Sequence, residues 1–263
     1  MVDWSGMRTS DAFDVEGWGA NGFSVSRSPW LAAEVASLRS EYDRLLRDID
    51  MLDRPPVRYG LEDPQRQNNL EMLSHAHWSS DQVDRIARST AFGRWAAELL
   101  DVPRVRLWGT SFIGKSSAAE ARNSVSWHRD MSFWQCLSAP RLLTFWVALD
   151  AVSVINGSME FAVASHRAEQ ASAAIDDDLD TFATCCVAGP AGTVSVHHCL
   201  TGHRSGCNRS GGSRVALTLH YMDADLHYVA GTLSDNHINV PLIAQRNGNR
   251  LDDAYFPVVY QDA

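Results

Sequence analysis

Leu142-Leu-Thr-Phe-Trp-Val-Ala-Leu149 and Val215-Ala-Leu-Thr-Leu-His-Tyr221 are short runs of apolar, aromatic and β-branched residues, and they set the reading of the fold. Such side chains suit a pleated, half-buried surface. Three more runs of similar texture follow Pro103: Val105 to Ile113, Met159 to Ala164 and Thr193 to His197. Gly and Asn fall between them at Asn156-Gly157, Gly189 to Gly192 and Gly206 to Gly212, as expected where an antiparallel sheet turns.

Upstream of Pro103 the pattern changes. Ser28 and Pro29 suit the cap and first turn of a helix, and Trp30, Val35, Leu38, Tyr42, Leu45 and Ile49 recur at three- and four-residue steps. That helix is expected to end before Pro55-Pro56. A second is expected from Ser79, with Gln82 completing a capping box, and to continue with a break to Leu100. The expected architecture is mainly β with a helical N-terminal layer, the core being a jelly-roll (double-stranded β-helix, cupin-like) barrel able to hold a metal and ligands. We read one domain over 1–263: about 1–102 mostly helical, 103–225 the core with a lid insertion at 167–188, and 226–263 a C-terminal extension. Within the insertion Asp176, Asp177, Asp178 and Asp180 read as a solvated acidic loop.

A chain of 263 residues with 45% apolar content can bury a full core. No apolar run reaches membrane-spanning length, and the first 25 residues carry Asp3, Asp11, Asp14 and Glu16 rather than a basic start and an apolar stretch, so no membrane partner is expected. Five cysteines (Cys136, Cys185, Cys186, Cys199, Cys207) without a C-x-x-C pair indicate neither a disulfide framework nor a zinc knuckle, and fit a cytoplasmic protein. A net charge of −9 opposes binding to a polyanion, so no nucleic-acid partner is expected. Oligomeric state is not legible.

The chemistry rests on His128-Arg-Asp130, followed by His203 and then Arg214. On a strand, side chains two apart share a face, so His128 and Asp130 can reach one ion while His203 returns from another strand. Two imidazoles and one carboxylate leave coordination positions open on a divalent iron, the arrangement of non-haem oxygenases. Arg214 adds a guanidinium fork that, deep in an apolar barrel, needs an anionic partner; the far carboxylate of 2-oxoglutarate fits that need. His75-Ala-His77 has ligand-like spacing but no nearby carboxylate, and reads as structural or substrate-facing. Of His197 and His198, either can point inward, with packing the simpler reading.

With these residues in view the chain resembles the phytanoyl-CoA dioxygenase family of iron(II)/2-oxoglutarate oxygenases, over about Phe23 to Tyr260. The resemblance is carried by Ser126-Trp-His-Arg-Asp130, Phe145-Trp-Val-Ala-Leu-Asp150, Asn156-Gly-Ser-Met-Glu-Phe161 with Ala164-Ser-His-Arg167, Gly192-Thr-Val-Ser-Val-His197, Leu200-Thr-Gly-His-Arg-Ser205, Arg214 to Tyr221 and Leu251-Asp-Asp-Ala-Tyr-Phe-Pro257. It implies His128, Asp130 and His203 as ligands of Fe(II), Arg214 with Ser205 on the distal carboxylate of 2-oxoglutarate, Trp146 and Ser111 in the co-substrate pocket, and O2 as second co-substrate. The chain departs from the family in lacking Pro-Gly before Ala164-Ser-His166 and in carrying Thr193 after Gly192, both in turns. Asp130 also separates it from iron halogenases, which resemble this family but carry a small residue there.

Trp127, Phe133, Trp134 and Gln135 flank the metal strand and are expected to wall the substrate side. The expected function is C–H oxidation (hydroxylation, epimerisation, cyclisation or desaturation) of a small natural-product intermediate in bacterial secondary metabolism. Two alternatives stay open: hydroxylation of a free amino acid or compatible solute, and a cupin-like protein holding a non-redox metal.

Overall fold

A computed structural model describes residues 4, 6–60, 70–117, 122–168, 179–243 and 251–262. Short helices α1 (Thr9–Ala12) and α2 (Val15–Asn21) precede strand β1 (Phe23–Val25), the long helix α3 (Ala32–Asp48), and strands β2 (Val57–Gly60) and β3 (Leu70–Ser74). Helices α4 (Asp81–Ala87) and α5 (Thr90–Leu100) follow. Then come β4 (Arg104–Lys115), β5 (Val125–His128), β6 (Leu142–Ala148), β7 (Met159–Ala162), β8 (Thr184–Cys186), β9 (Val194–His198), β10 (His203–Ser205), β11 (Arg214–Asp223) and β12 (Val258–Gln261).

Two antiparallel sheets result. The larger runs β1-β9-β6-β11-β4-β3-β2, and the smaller β5-β10-β7-β8. One edge of the long β4 pairs with β11, while its other edge is shared, Ser111 to Lys115 by β3 and Arg104 to Arg106 by β12. This is the mainly β double-sheet fold expected from the runs after Pro103.

The period of two along the strands divides the larger sheet into two faces. On β11, Val215, Leu217, Leu219 and Tyr221 point to the helical layer, where they meet Phe145 and Val147 of β6, Val194 and Val196 of β9, and Phe92, Trp95 and Leu38 from the helices. Arg214, Thr218 and His220 point the other way, into a cavity of about 840 Å³ between the sheets. The apolar cluster under the helices fixes the register, because a one-residue slip would exchange the faces.

β4 changes face partway. His220 pairs with Gly109 and Tyr221 with Leu107, so Trp108 is an extra residue with nothing opposite. This bulge lets Val105 and Leu107 face the helices while Gly109, Ser111 and Ile113, also odd-numbered, line the cavity.

Three details differ from the sequence reading. Helix α3 starts at Ala32 rather than at Ser28, because the Trp30 amide donates to Gly192 O (2.8 Å) and keeps the chain extended until the sheet is passed. The second helix is capped by Ser80, whose hydroxyl accepts from the Val83 amide, rather than by Ser79 with Gln82. The first hundred residues also contribute the β2–β3 hairpin, and Leu70-Glu-Met-Leu-Ser74 becomes strand without any β-branched residue because β4 offers it an open edge. Of the insertion, Asp176, Asp177 and Asp178 lie outside the described residues. Asp180 is not merely solvated: it accepts from the Trp127 indole N–H (2.6 Å) and pairs with Arg204 (3.2 Å).

Candidate active site

The smaller sheet brings two histidines side by side. His203 on β10 is the direct partner of His128 on β5, and their rings lie 4.1 Å apart between centroids. Asp130 stands just beyond the end of β5, at the start of a 3-10 turn; Arg129 between them is extended (φ −113°, ψ 137°), so the strand alternation carries one residue further. Arg129 is itself buried and tied to Leu200 O (2.8 Å) and Ser165 O (3.2 Å). Donor atoms of His128, Asp130 and His203 all fall within 4.8 Å of one another, the geometry a single metal ion needs.

Each imidazole is oriented by its own backbone. His128 Nδ1 lies 2.9 Å from Ser126 O and His203 Nδ1 2.9 Å from Thr201 O, so both N–H groups donate to carbonyls two residues earlier and both Nε2 lone pairs are left for a metal. Burial pushes both histidines below the ordinary imidazole range, and for His203 the neighbouring His128 and His197 add to it. For Asp130 burial acts upward, yet His203, the hydrogen bond from His197 and His220 outweigh it and hold the carboxyl well below its usual range. Neutral imidazoles beside a carboxylate are the protonation states metal binding requires.

The larger sheet supplies the surroundings of Asp130. Gly109, His220, Thr144 and His197 occupy one row across β4, β11, β6 and β9. Thr144 Oγ1 donates to Asp130 Oδ2 (2.7 Å), His197 Nε2 lies 3.1 Å from the same oxygen, and His220 Nδ1 lies 2.9 Å from Thr144 Oγ1. With the threonine proton on the carboxylate, the His220 N–H donates to Thr144, and a directional chain ends on Asp130. His197 therefore points inward rather than packing. His220 and Thr144 were not singled out by the sequence; their signal was parity, since His220 sits six residues from Arg214 on the same strand face.

Three inward rows away the cavity turns cationic. Arg214 is 1% exposed, its Nη2 donates to Gly157 O (2.5 Å), its guanidinium lies 5.4 Å from the Trp146 ring centre, and its Nε has no hydrogen-bond partner. Gly157 adopts φ +76°, and a Cβ there would meet Gly206 O at 2.3 Å, so only glycine presents that carbonyl. Burial pulls the Arg214 guanidinium down to about 10, opposed by Asp150. Beside it, fully buried Lys115 donates to Ser205 Oγ (2.7 Å) and Gly206 O (2.6 Å), and burial followed by Arg214 lowers it to about 7. Ser205 shares the inward face of β10 with His203. Lys115 escaped notice in the sequence because it closes an apolar strand, where a lysine ordinarily marks the exit to solvent.

Ser111 lines the cavity, but its hydroxyl is engaged by Ser74 Oγ (3.0 Å). Trp127, Phe133 and Trp134 line it, Phe133 edge-on to His128 and Trp134 edge-on to His220. Gln135 does not: it falls outside the cavity lining, its backbone N–H donating to Ser234 Oγ (3.0 Å) and its side-chain Nε2 to Ser132 O (3.4 Å). Of the other pair, His77 is tied to Thr110 Oγ1 (3.0 Å), whereas His75 lines the cavity.

The profile of the phytanoyl-CoA dioxygenase (PhyH) family matches residues 18–216, three quarters of the chain. The chain belongs to the phytanoyl-CoA dioxygenase family. It is a non-haem iron, 2-oxoglutarate-dependent dioxygenase. Among curated proteins it is similar to a probable alpha-ketoglutarate-dependent hypophosphite dioxygenase of Stutzerimonas stutzeri, 26% identical over 221 residues that cover 78% of this chain and 76% of that one. Among solved structures it shares its fold with the carbocyclase SnoK from nogalamycin biosynthesis (TM-score 0.78, 22% identity, 98% of both chains). It shares it equally with the epimerase SnoN, solved with Fe3+, alpha ketoglutarate and nogalamycin RO (TM-score 0.76, 23% identity, 93% of this chain and 96% of that one). All five cysteines are free, Cys136 and Cys199 among them buried. Among the described residues no helix is long and apolar enough to cross a membrane.

Proposed function

We propose that the protein oxidises a C–H bond of a small natural-product intermediate, with iron(II) on His128, Asp130 and His203 and 2-oxoglutarate anchored by Arg214. One observation carries the reading: three converging donors and a buried guanidinium with an unpartnered Nε open onto the same cavity. The donor set suits iron(II), with its remaining positions free for co-substrate and oxygen. The orphan Arg214 Nε, with Lys115 and Ser205 beside it, suits the distal carboxylate of 2-oxoglutarate. When bound, these groups supply oxidative decarboxylation of 2-oxoglutarate to succinate and carbon dioxide, coupled to attack on a nearby C–H bond.

The chain's own residues orient and shield. Ser126 O and Thr201 O fix the imidazole tautomers. Thr144 and His197 occupy Oδ2 of Asp130, which leaves Oδ1 as the oxygen facing His203 (3.6 Å). Trp146 covers the guanidinium and keeps that end dry. Phe133, Trp134 and Trp127 wall the opening and offer aromatic surface to a substrate. We read the whole chain as one functional domain, and the free cysteines as favouring the cytoplasm. The natural-product assignment is supported by SnoK and SnoN, whose names tie them to nogalamycin biosynthesis. Whether the outcome is hydroxylation, epimerisation, ring closure or desaturation depends on the substrate.

The test is succinate formation from iron(II), 2-oxoglutarate and oxygen in the presence of candidate small molecules, followed by mass analysis of the partner. Turnover stimulated by such a molecule is expected. Stimulation only by acyl-CoA thioesters would remove the natural-product assignment.

A further inference from the structure

The end of the cavity away from Arg214 has a different chemistry from the rest. There His75, Trp108, Ser132, His237 and Asn239 meet the lining. His75 is 3% exposed, Trp108 2% and Asn239 2%. Both ring nitrogens of His75, the indole Nε1 of Trp108, Oγ of Ser132 and Oδ1 of Asn239 are buried without a hydrogen-bond partner. Buried polar atoms are nearly always paired, so five orphans at one end of one cavity mark a place where a bound molecule supplies the partners.

The orphans are held in place. The Asn239 amide nitrogen donates to Trp108 O (2.9 Å), which fixes the orientation of its oxygen. The bulge on β4 turns the Trp108 side chain to this end, where its ring is sandwiched between His237 (5.5 Å) and Phe256 (5.1 Å). His75 has a left-handed backbone (φ 60°), its amide donates to Thr110 O (2.7 Å), and its ring stacks on Trp78 at 4.1 Å. These constraints keep the polar atoms from turning to find partners within the protein.

The set is uncharged. Burial, then His77 and His237, bring His75 down to about 3, against an opposing side-chain interaction with Asn239. Burial also brings His237 down to about 4. Neutral imidazole offers one donor and one acceptor, indole a donor, and the asparagine oxygen an acceptor. A carboxylate, phosphate or ammonium placed here would lose its hydration without gaining an opposite charge.

We infer that His75, Trp108 and Asn239 form a neutral hydrogen-bonding subsite that takes a hydroxyl or carbonyl group of an uncharged ring-bearing substrate and rejects charged head groups. This rests on the reading of the cavity as the substrate site of the oxygenase. It disfavours a free amino acid or zwitterionic solute reaching this end.

The probes are 2-naphthol and 2-naphthoate, one ring system with an uncharged or a charged substituent, titrated anaerobically onto the iron(II)- and 2-oxoglutarate-loaded full chain with affinity read by ligand-observed NMR. The naphthol is expected to bind at least about tenfold more tightly than the naphthoate, as a charge without a counter-ion implies. Trp108→Phe and His75→Phe, which keep an aromatic side chain and remove the polar ring nitrogens, are each expected to weaken the naphthol about three- to tenfold, the loss of one hydrogen bond in a buried site. Both are expected to leave naphthoate affinity and the visible iron–2-oxoglutarate absorption unchanged. Equal or tighter binding of the naphthoate, no binding of the naphthol, or unchanged naphthol affinity in both variants overturns the subsite. Failure of the absorption band in the wild-type chain would instead overturn the oxygenase site, and the naphthol selectivity would still decide the subsite.

Discussion

The two faces of the larger sheet are made of the same strands and obey opposite rules. On β11, Leu217 and Leu219 meet Phe145 and the helical layer in an apolar cluster; Thr218 and His220, their immediate neighbours, carry hydrogen-bonding atoms into the cavity. Alternation lets one strand serve both, so the apolar face sets the register that positions the polar face. Stability and chemistry are thereby separable by residue parity.

The largest effect is expected from Asp130→Ala. It removes one of three donors, so 2-oxoglutarate turnover should fall below detection while the thermal midpoint is preserved; substantial turnover in this variant contradicts the assignment of the cavity face. Phe145→Ala should do the reverse. A deleted core aromatic costs about 3–5 kcal/mol, measured by urea unfolding, with metal affinity of the folded protein unchanged. Should activity vanish while stability holds, the division between faces fails.

Arg214→Ala removes a charge-assisted fork to a carboxylate, worth about 1.5–3 kcal/mol, and should raise the 2-oxoglutarate requirement roughly 10- to 150-fold with a smaller change in kcat. An unaltered requirement would take Arg214 out of co-substrate binding. Thr144→Val keeps the shape of the side chain and removes the hydroxyl that donates to Asp130, so iron(II) affinity should drop about tenfold, as for other partners of metal ligands. Indistinguishable titration curves for this variant and the wild type would mean that the threonine only packs.

The last expected effect is a pH dependence. Lys115 titrates near 7 when folded and near 10.5 when unfolded, so between those values the unfolded chain binds more protons and stability should rise with pH. Below about 7 the cost of the buried charge is present in full, and above about 10.5 it is gone. A carboxylate bound beside Lys115 and Arg214 favours the cation, so 2-oxoglutarate binding at pH 8 should take up close to one proton, seen by calorimetry in buffers of different ionisation heat. Lys115→Met should abolish that uptake; persistence of the uptake assigns it elsewhere.

Much of this was legible before folding. The strands were readable because β6 and β11 are short runs of apolar, aromatic and β-branched residues, and His128, Asp130, His203 and Arg214 stood out because their residue types are costly to bury without a purpose. His197 was harder to judge and His220 was not singled out, since a histidine on an apolar strand reads equally as packing; only the row that joins β11, β6 and β9 brings them to Asp130. Lys115 was missed because its partners, Ser205 and Gly206, lie ninety residues away. Gln135 was placed on the substrate wall by its nearness to Trp134, but the 3-10 turn that follows Asp130 directs it elsewhere. The start of α3 could not be found from Ser28 and Pro29, because what delays it is the amide of Trp30 bonded across the fold to Gly192.

The unmatched residue in β4 has a consequence for how such a protein could diversify. Residues on either side of Trp108 answer to different masters: Gly109 to Lys115 are indexed against the row that reaches Asp130, whereas Arg104 to Leu107 are clamped by the C-terminal strand and the helical layer. A length change at that one point would re-aim the distal wall while leaving the metal row in step, so substrate preference can drift by insertion or deletion where a point mutation in the row itself would cost the enzyme its chemistry.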